Sequence, residues 1–403
     1  MNATEQKNKM VIYQVFPRWF GNDCPSPVKD GGLTENGVGK FSAFTPLALQ
    51  KIKELGVTHV WYTGVIEHAT KTDYTQYGIR KDHSAVVKGK AGSPYAIKDY
   101  YDIDPDLADK VPNRMKEFEA LVTRTHEAGL KMIIDFVPNH VARQYFSEAR
   151  EPYVEDLGQH DNVSKAFDVN NNFYYLPGQT LSFRFDPQRE EDYAYSEFPA
   201  KVTGNNHFDA HPSQNDWYET IKLNCGQELG EPGMDEEGFS GKDGRTTIFD
   251  YWSIKRLRDW RNGGRFDGLT LDPDARSLRK DYQRLLNAVS SEPVIGKGKF
   301  YDLMYANTQN PRFNINKQYA FLRKYENEVL LVVANFDRAD QNVWVNIPAD
   351  AFKALGFEDN RPATVIDLLT GTKAISTLTD AYPYQVQLPA YAGRLLKFTS
   401  LEA

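Results

Sequence analysis

Between residues 11 and 134 short apolar runs alternate with amphipathic segments, and this alternation constrains the fold more than any other feature. "VIYQVF", closed by Pro17, reads as a buried strand. In "TPLALQKIKELG", Thr45 can cap a helix and Pro46 suits its first turn. Leu49, Ile52 and Leu55 recur on one face, and Gly56 can end the helix. "VTHVWYTG" is a second strand. "VPNRMKEFEALVTRTHEAG" repeats the helical pattern with Met115, Phe118, Leu121, Val122 and Thr125 before Gly129, and "LKMIIDFVPNH" is a third strand. Strand, helix, strand, helix, strand at this spacing predicts parallel strands joined by crossover helices.

A long insert, residues 65–110, separates the second strand from its helix, and a loop of that length at a strand's carboxyl end is usually functional. Residues 141–225 are polar and aromatic with little periodicity. Two further helices are expected in "WSIKRLRDWRNGG" and "DPDARSLRKDYQRLLNAV". From residue 297 the texture changes to short β-rich runs, among them "QNVWVNIP", where Val343, Val345 and Ile347 alternate with polar residues. The expected organisation is an α/β domain over 1–296 followed by a C-terminal antiparallel β-sandwich over 297–403.

The net charge of -7 argues against a nucleic-acid partner. Cys24 and Cys225 are the only cysteines, so neither a disulfide framework nor a paired-cysteine metal site is expected. No apolar stretch is long enough to span a membrane. The first ten residues lack the apolar core of a signal peptide. Aromatic residues make up 13% of the chain, which suits stacking on sugar rings as well as ordinary cores.

"MIIDFVPNH" reads as a buried strand that delivers Asp135, Asn139 and His140 at its carboxyl end, where barrel enzymes place their active face. The motif "DFVPNH", the segment "PYAIKDYYDIDPDL" and the segment "GQELGEPGMDEEGFSGKDGRTTIFDYW" together resemble the α-amylase family, glycoside hydrolase family 13. The closest likeness is to the starch-utilisation amylases of gut Bacteroidetes. The resemblance implies a TIM-type (β/α) barrel with a C-terminal β domain and an α-glucan ligand such as starch or maltooligosaccharides. It implies that His140 contacts the sugar at the cleavage position and that Tyr95 stacks on it. It makes Asn139 a calcium ligand, with Asp135 supporting the strand end. The same likeness implies an extracytoplasmic location.

A retaining glycosidase needs two carboxylates about 5–5.5 Å apart. The family carries its nucleophile in a "G-F-R-x-D" pattern at the fourth strand, its acid at the fifth and a His-Asp pair at the seventh. Here "NDWYETIKLN" resembles the family's stretch before the fourth strand and "GQELGE" its stretch after the eighth, and the two meet at Cys225-Gly226. "FDGLTLDPDAR" offers Asp272 as a decoy nucleophile. However, Thr270 stands where the family has Arg, no His comes after His211, and Asp272-Pro273 reads as a helix cap. A complete barrel takes about 250 residues before insertions, so a partial barrel is expected. Its open edges would be covered by residues 141–225, by the C-terminal domain, or by a second copy in a homodimer.

"DIDPDLADK" opens like an EF-hand loop but lacks the glycine and the closing glutamate. "MDEEG" concentrates Asp235, Glu236 and Glu237, most simply as a helix start or solvated turn. The leading expectation is an α-glucan-binding member without a catalytic pair. The alternatives are a hydrolase using remodelled carboxylates, such as Asp135 with Glu228 or Asp209, and a non-catalytic scaffold or interaction module.

Overall fold

The computed structural model describes residues 9–168, 170–183, 185, 194–224, 253 and 255–400. The chain divides into two compact units, one of Tyr13–Lys51 with His59–Leu271, the other of Met1–Ile12, Ile52–Thr58 and Asp272–Ala403.

The larger unit is built on β1 (Ile12–Val15), β2 (His59–Tyr62), the antiparallel pair β3 (Ile66–His68) and β4 (Ile97–Ile103), and β5 (Lys131–Ile134). β1, β2 and β5 form one sheet in that order, with β2 and β5 parallel and His59 opposite Lys131. Helices Pro46–Lys53 and Arg114–Glu127 make the two crossovers, as the alternation predicted. Thr45 Oγ1 accepts the Ala48 N–H at 3.2 Å, and Leu49 and Ile52 are fully buried.

Two expectations change. The insert is not a bare loop, because β3 and β4 pair within it. β5 is not a buried strand either: Ile134 is 41% and Phe136 67% exposed. Among the described residues β5 pairs with β2 alone, so its apolar run lies at a sheet edge.

Residues 141–225 are less irregular than their composition suggested. β6 (His140–Ala142), β7 (Tyr175–Leu176), β8 (Leu181–Phe183), β9 (Tyr195–Glu197), β10 (Ala200–Lys201) and β11 (Thr220–Lys222) form the antiparallel pairs β6–β11, β7–β10 and β8–β9. Arg143, fully buried, ties them together. Its guanidinium donates to the carbonyls of Tyr218, Thr220 and Lys201 and, at 2.6 Å, to the Glu197 carboxylate.

The second unit begins earlier than 297. Helix Pro273–Ser291 belongs to it, because Ala288 packs with Val294, Ile295, Leu330 and Leu395. Asp272 Oδ1 accepts the Ala275 N–H at 2.8 Å and Pro273 opens the helix, so Asp272 is the cap that its sequence suggested. The strands are β12 (Lys299–Asp302), β13 (Gln318–Tyr325), β14 (Glu328–Asn335), β15 (Gln341–Val345), β16 (Ala363–Asp367), β17 (Lys373–Ser376), β18 (Tyr384–Leu388) and β19 (Gly393–Ser400). Six form an antiparallel sheet ordered β12-β13-β14-β19-β16-β17, and β15 pairs with β18. Leu331, Val333 and Phe398 from the large sheet share one core with Val343, Val345, Val386 and Leu388 from the pair, which makes a sandwich.

Candidate active site

The carboxyl ends of β1, β2 and β5 lie together because the strands are parallel neighbours. Site residues come directly after each of them. Phe16 and Trp19 succeed β1, Thr63 and Gly64 succeed β2, and Asp135 succeeds β5. Gln14, Phe16, Trp19, Thr63, Pro94 and Tyr95 line a cavity of about 350 Å³. Gln14 Nε2 donates to Thr63 Oγ1 at 2.9 Å, and the Phe16 and Trp19 rings meet edge to face at 5.0 Å. Gly64 has φ +71°, and a Cβ there would come within 2.8 Å of both Phe16 and Pro94, so only glycine lets these walls close.

Asp135 Oδ1 accepts the Trp61 indole N–H. Burial raises the Asp135 carboxyl, and hydrogen bonds from Trp61 and the Gly64 backbone oppose the shift. Its Oδ2 is buried without a hydrogen-bond partner, as is the indole N–H of Trp19. An acceptor and a donor thus stand unsatisfied at one site, which buried polar groups rarely do. Tyr95 is 37% exposed, and its phenol is raised by burial and by the Asp135 carboxylate.

His140 is buried at the start of β6, opposite Lys222, with its ring 5.1 Å from that of Trp217. A Cβ at Gly204 would lie 2.3 Å from Thr220 Oγ1 and 3.0 Å from the His140 Cβ, so a side chain there would crowd both residues. Burial pulls the ring down to about 4, partly offset by a hydrogen bond with the Tyr95 backbone. The structure therefore places Tyr95 beside both Asp135 and His140, the three candidate site residues read from the sequence. Phe16 and Trp19 were missed. Their only signal was their position directly after an apolar strand.

The His140 shift has a definite sign. Its folded value lies below the ordinary 6.5, so its burial supports the fold above pH 6.5 and loses that support as pH falls toward 4. The imidazole resonances of His140 are expected to stay those of the neutral ring from pH 8 down to about 5, followed by NMR. Protonation near 6.5 would mean that the ring is solvated.

Asn139 fits a calcium site poorly. It is exposed, and its Oδ1 already faces His140 Nδ1 at 2.7 Å. Asp209, the alternative catalytic partner, accepts the His211 backbone and ring nitrogens at 2.8 and 3.0 Å in a local surface turn. Glu228, Cys225 and the Asp235-Glu236-Glu237 cluster lie outside the described residues.

Beneath the cavity sits Arg18, which no sequence pattern singles out. It is 1% exposed and donates to the carbonyls of Ala91 and Gly92, each at 3.0 Å, and to His68 Nε2. His68 Nδ1 faces the Ile66 carbonyl at 3.1 Å, which fixes the proton on that nitrogen and leaves Nε2 as the acceptor. Burial and the Arg18 charge hold His68 down to about 3.

Comparison with known proteins identifies the family and the fold. The model of the α-amylase catalytic domain matches residues 14–218, and that of the maltogenic amylase C-terminal domain matches residues 312–395. Maltase 1 of Drosophila virilis is 30% identical over 151 residues, 36% of this chain and 18% of that protein. The amino acid transporter heavy chain SLC3A1 of Rattus norvegicus is 28% identical over 189 residues, 45% of this chain and 22% of that protein. The chain thus spans about a fifth of the length of the curated relatives it matches. Among solved structures, a maltogenic α-amylase from Thermotoga neapolitana superposes with TM-score 0.54 at 12% identity, covering 97% of this chain and 99% of that one. A variant of AmyP in complex with maltotriose superposes with TM-score 0.51 at 13% identity, covering 98% and 97%. The architecture is accordingly of the TIM-barrel type with a C-terminal β domain. With the catalytic-domain model matched over half of its length, the chain belongs to the α-amylase family.

Proposed function

We propose that this protein binds α-glucans, maltooligosaccharides or starch, at the cavity lined by Phe16, Trp19 and Tyr95, with Asp135 and His140 beside Tyr95, and does not hydrolyse them. The observation that carries the reading is the pair of unsatisfied polar atoms, Asp135 Oδ2 and Trp19 Nε1, beside an aromatic-lined cavity at the ends of three parallel strands. A sugar hydroxyl both donates and accepts, and its ring face stacks on aromatic walls, so one ligand would meet both needs. Tyr95 would stack on the sugar and the neutral His140 would hydrogen-bond a hydroxyl. The maltotriose complex of a protein with the same architecture supports this choice of ligand.

The absence of turnover rests on the sequence, which passes from "NDWYETIKLN" to "GQELGE" with none of the family's three carboxylate-bearing patterns between. Oxocarbenium chemistry without a paired nucleophile and acid loses its main source of acceleration. The barrel would then lack the segment from about strand four to strand eight. The family match does not decide the matter, since the matched stretch is shared by a maltase and by a transporter heavy chain. A second copy covering the exposed β5 edge, where Ile134 and Phe136 are open, would complete such a fold.

The test is calorimetric titration with maltoheptaose, alongside reducing-end release from soluble starch at high protein concentration. Binding weakened at least tenfold by His140→Ala, with no release of reducing ends, is the expected result. Turnover abolished by Asp135→Asn would overturn the non-catalytic reading. No binding by the unaltered chain would overturn the glucan-binding reading.

A further inference from the structure

Glu67 and Asp99 stand directly opposite each other in the β3–β4 pair, an arrangement that like charges disfavour. The register jumps on both sides of Glu67. Ile66 pairs with Ile103, Glu67 with Asp99 and His68 with Ile97. Tyr100, Tyr101 and Asp102 are therefore bulged out of the ladder. In a regular strand Asp99 and Asp102 would point to opposite faces. The bulge instead folds Asp102 back, so that one carboxylate oxygen from each of Glu67, Asp99 and Asp102 lies within 4.8 Å of the others. All three residues are buried, at 1%, 0% and 5% exposure.

These acids are not equally satisfied. Asp99 accepts the N–H groups of Tyr101 at 2.7 Å and Ala149 at 3.1 Å. Asp102 accepts the Ile103 N–H and the Arg114 guanidinium. Both oxygens of Glu67 lack any hydrogen-bond partner, and the nearest cation, Lys98, stands 3.8 Å away while also pairing with Asp82 at 3.3 Å. Around this point face the carboxylates of Glu67, Asp82, Asp99, Asp102 and Glu148, against the cations Lys98, Arg114 and Arg80.

We infer that Glu67, Asp99 and Asp102 form a binding site for one divalent cation, calcium by its chemistry. Calcium takes carboxylate oxygens at about 2.3–2.6 Å, so oxygens around one ion lie within about 5 Å of each other. A proton shared between two carboxyl groups would instead require oxygens at hydrogen-bonding distance, about 2.5–3.0 Å, and Glu67 makes no such bond. All three ligands are hard oxygen donors, which excludes the thiophilic metals. "DIDPDLADK" thus contributes to a cation site after all, through Asp102 and across a strand pair rather than as a continuous loop.

The experiment uses the full chain stripped with a chelator and then dialysed. Calorimetric titration with calcium chloride, and metal analysis after re-equilibration, are expected to give one ion per chain and a thermal midpoint that rises with calcium. Glu67→Gln preserves shape and replaces one unpartnered carboxylate oxygen with an amide nitrogen, which cannot ligate a cation. It is expected to weaken calcium binding at least tenfold and abolish the midpoint shift while remaining folded by circular dichroism. Asn139→Ala is expected to bind calcium unchanged. No binding at millimolar calcium, or equal binding by Glu67→Gln, would overturn the site. Loss of binding in Asn139→Ala alone would overturn it in favour of the strand-end asparagine.

Discussion

Arg143→Ala should cost the larger unit about 3–5 kcal/mol of stability, the range for removing one partner of a buried ion pair. The loss is large because one guanidinium serves four acceptors on β9, β10, β11 and the turn before it. Glu197 would be left largely buried. Burial pushes its carboxyl up, yet Arg143 and Lys201 together hold it below the usual carboxylate range. With the folded value depressed, the pair stabilises the fold above the ordinary pKa of 4.5, and that contribution fades as pH falls through the folded value. Without Arg143 the burial effect dominates, and Glu197 takes up a proton at higher pH. The penalty should therefore be greatest near pH 7 and smaller near pH 5, read as the shift of the urea midpoint. A penalty independent of pH would mean that the three carbonyls, not Glu197, carry the effect.

Arg18→Met should be as destabilising and should also damage the candidate sugar site. The guanidinium holds the Ala91–Gly92 backbone, three residues before Tyr95, and lies beside His68 and Asp104. Burial already raises Asp104 to about 6 against the Arg18 charge. Methionine fills much of the volume but leaves two carbonyls and the His68 nitrogen without donors, each costing about 1–3 kcal/mol. The expected result is a loss of about 3–5 kcal/mol and a maltoheptaose Kd raised at least tenfold. Arg18→Lys should rescue little, because one ammonium cannot reproduce the planar fork. Intact affinity in a destabilised Arg18→Met variant would separate the support of the fold from that of the site.

How much of this was legible in the sequence depends on the range of the forces involved. The crossover helices announced themselves because caps, face periodicity and terminal glycines act within a turn or two; Thr45, Asp272 and Gly129 are read locally. Val343 and Val345 likewise alternate on a scale of two residues and are buried as expected. The third strand misled, because an apolar run such as "KMII" cannot disclose how many neighbours flank it. Glu67, Arg18 and Arg143 were invisible for a related reason. A charged residue in isolation reads as solvated, and only partners such as Asp99, Gly92 or Thr220 make it structural. Asp135, Tyr95 and His140 were found through motif likeness, and parallel strand order then explains why they converge.

The pairing of β6 with β11 also bears on how the chain reaches its native state. Arg143 and Thr220 are 77 positions apart, whereas β13 and β14 close through Tyr325 opposite Glu328. Loop closure over the longer span carries the greater entropy loss and slows any step that waits for it. On the ribosome the ribbon that buries His140 lacks the β11 strand until residue 222 has emerged, so the candidate sugar site is assembled late. The C-terminal hairpin can form as soon as it is made.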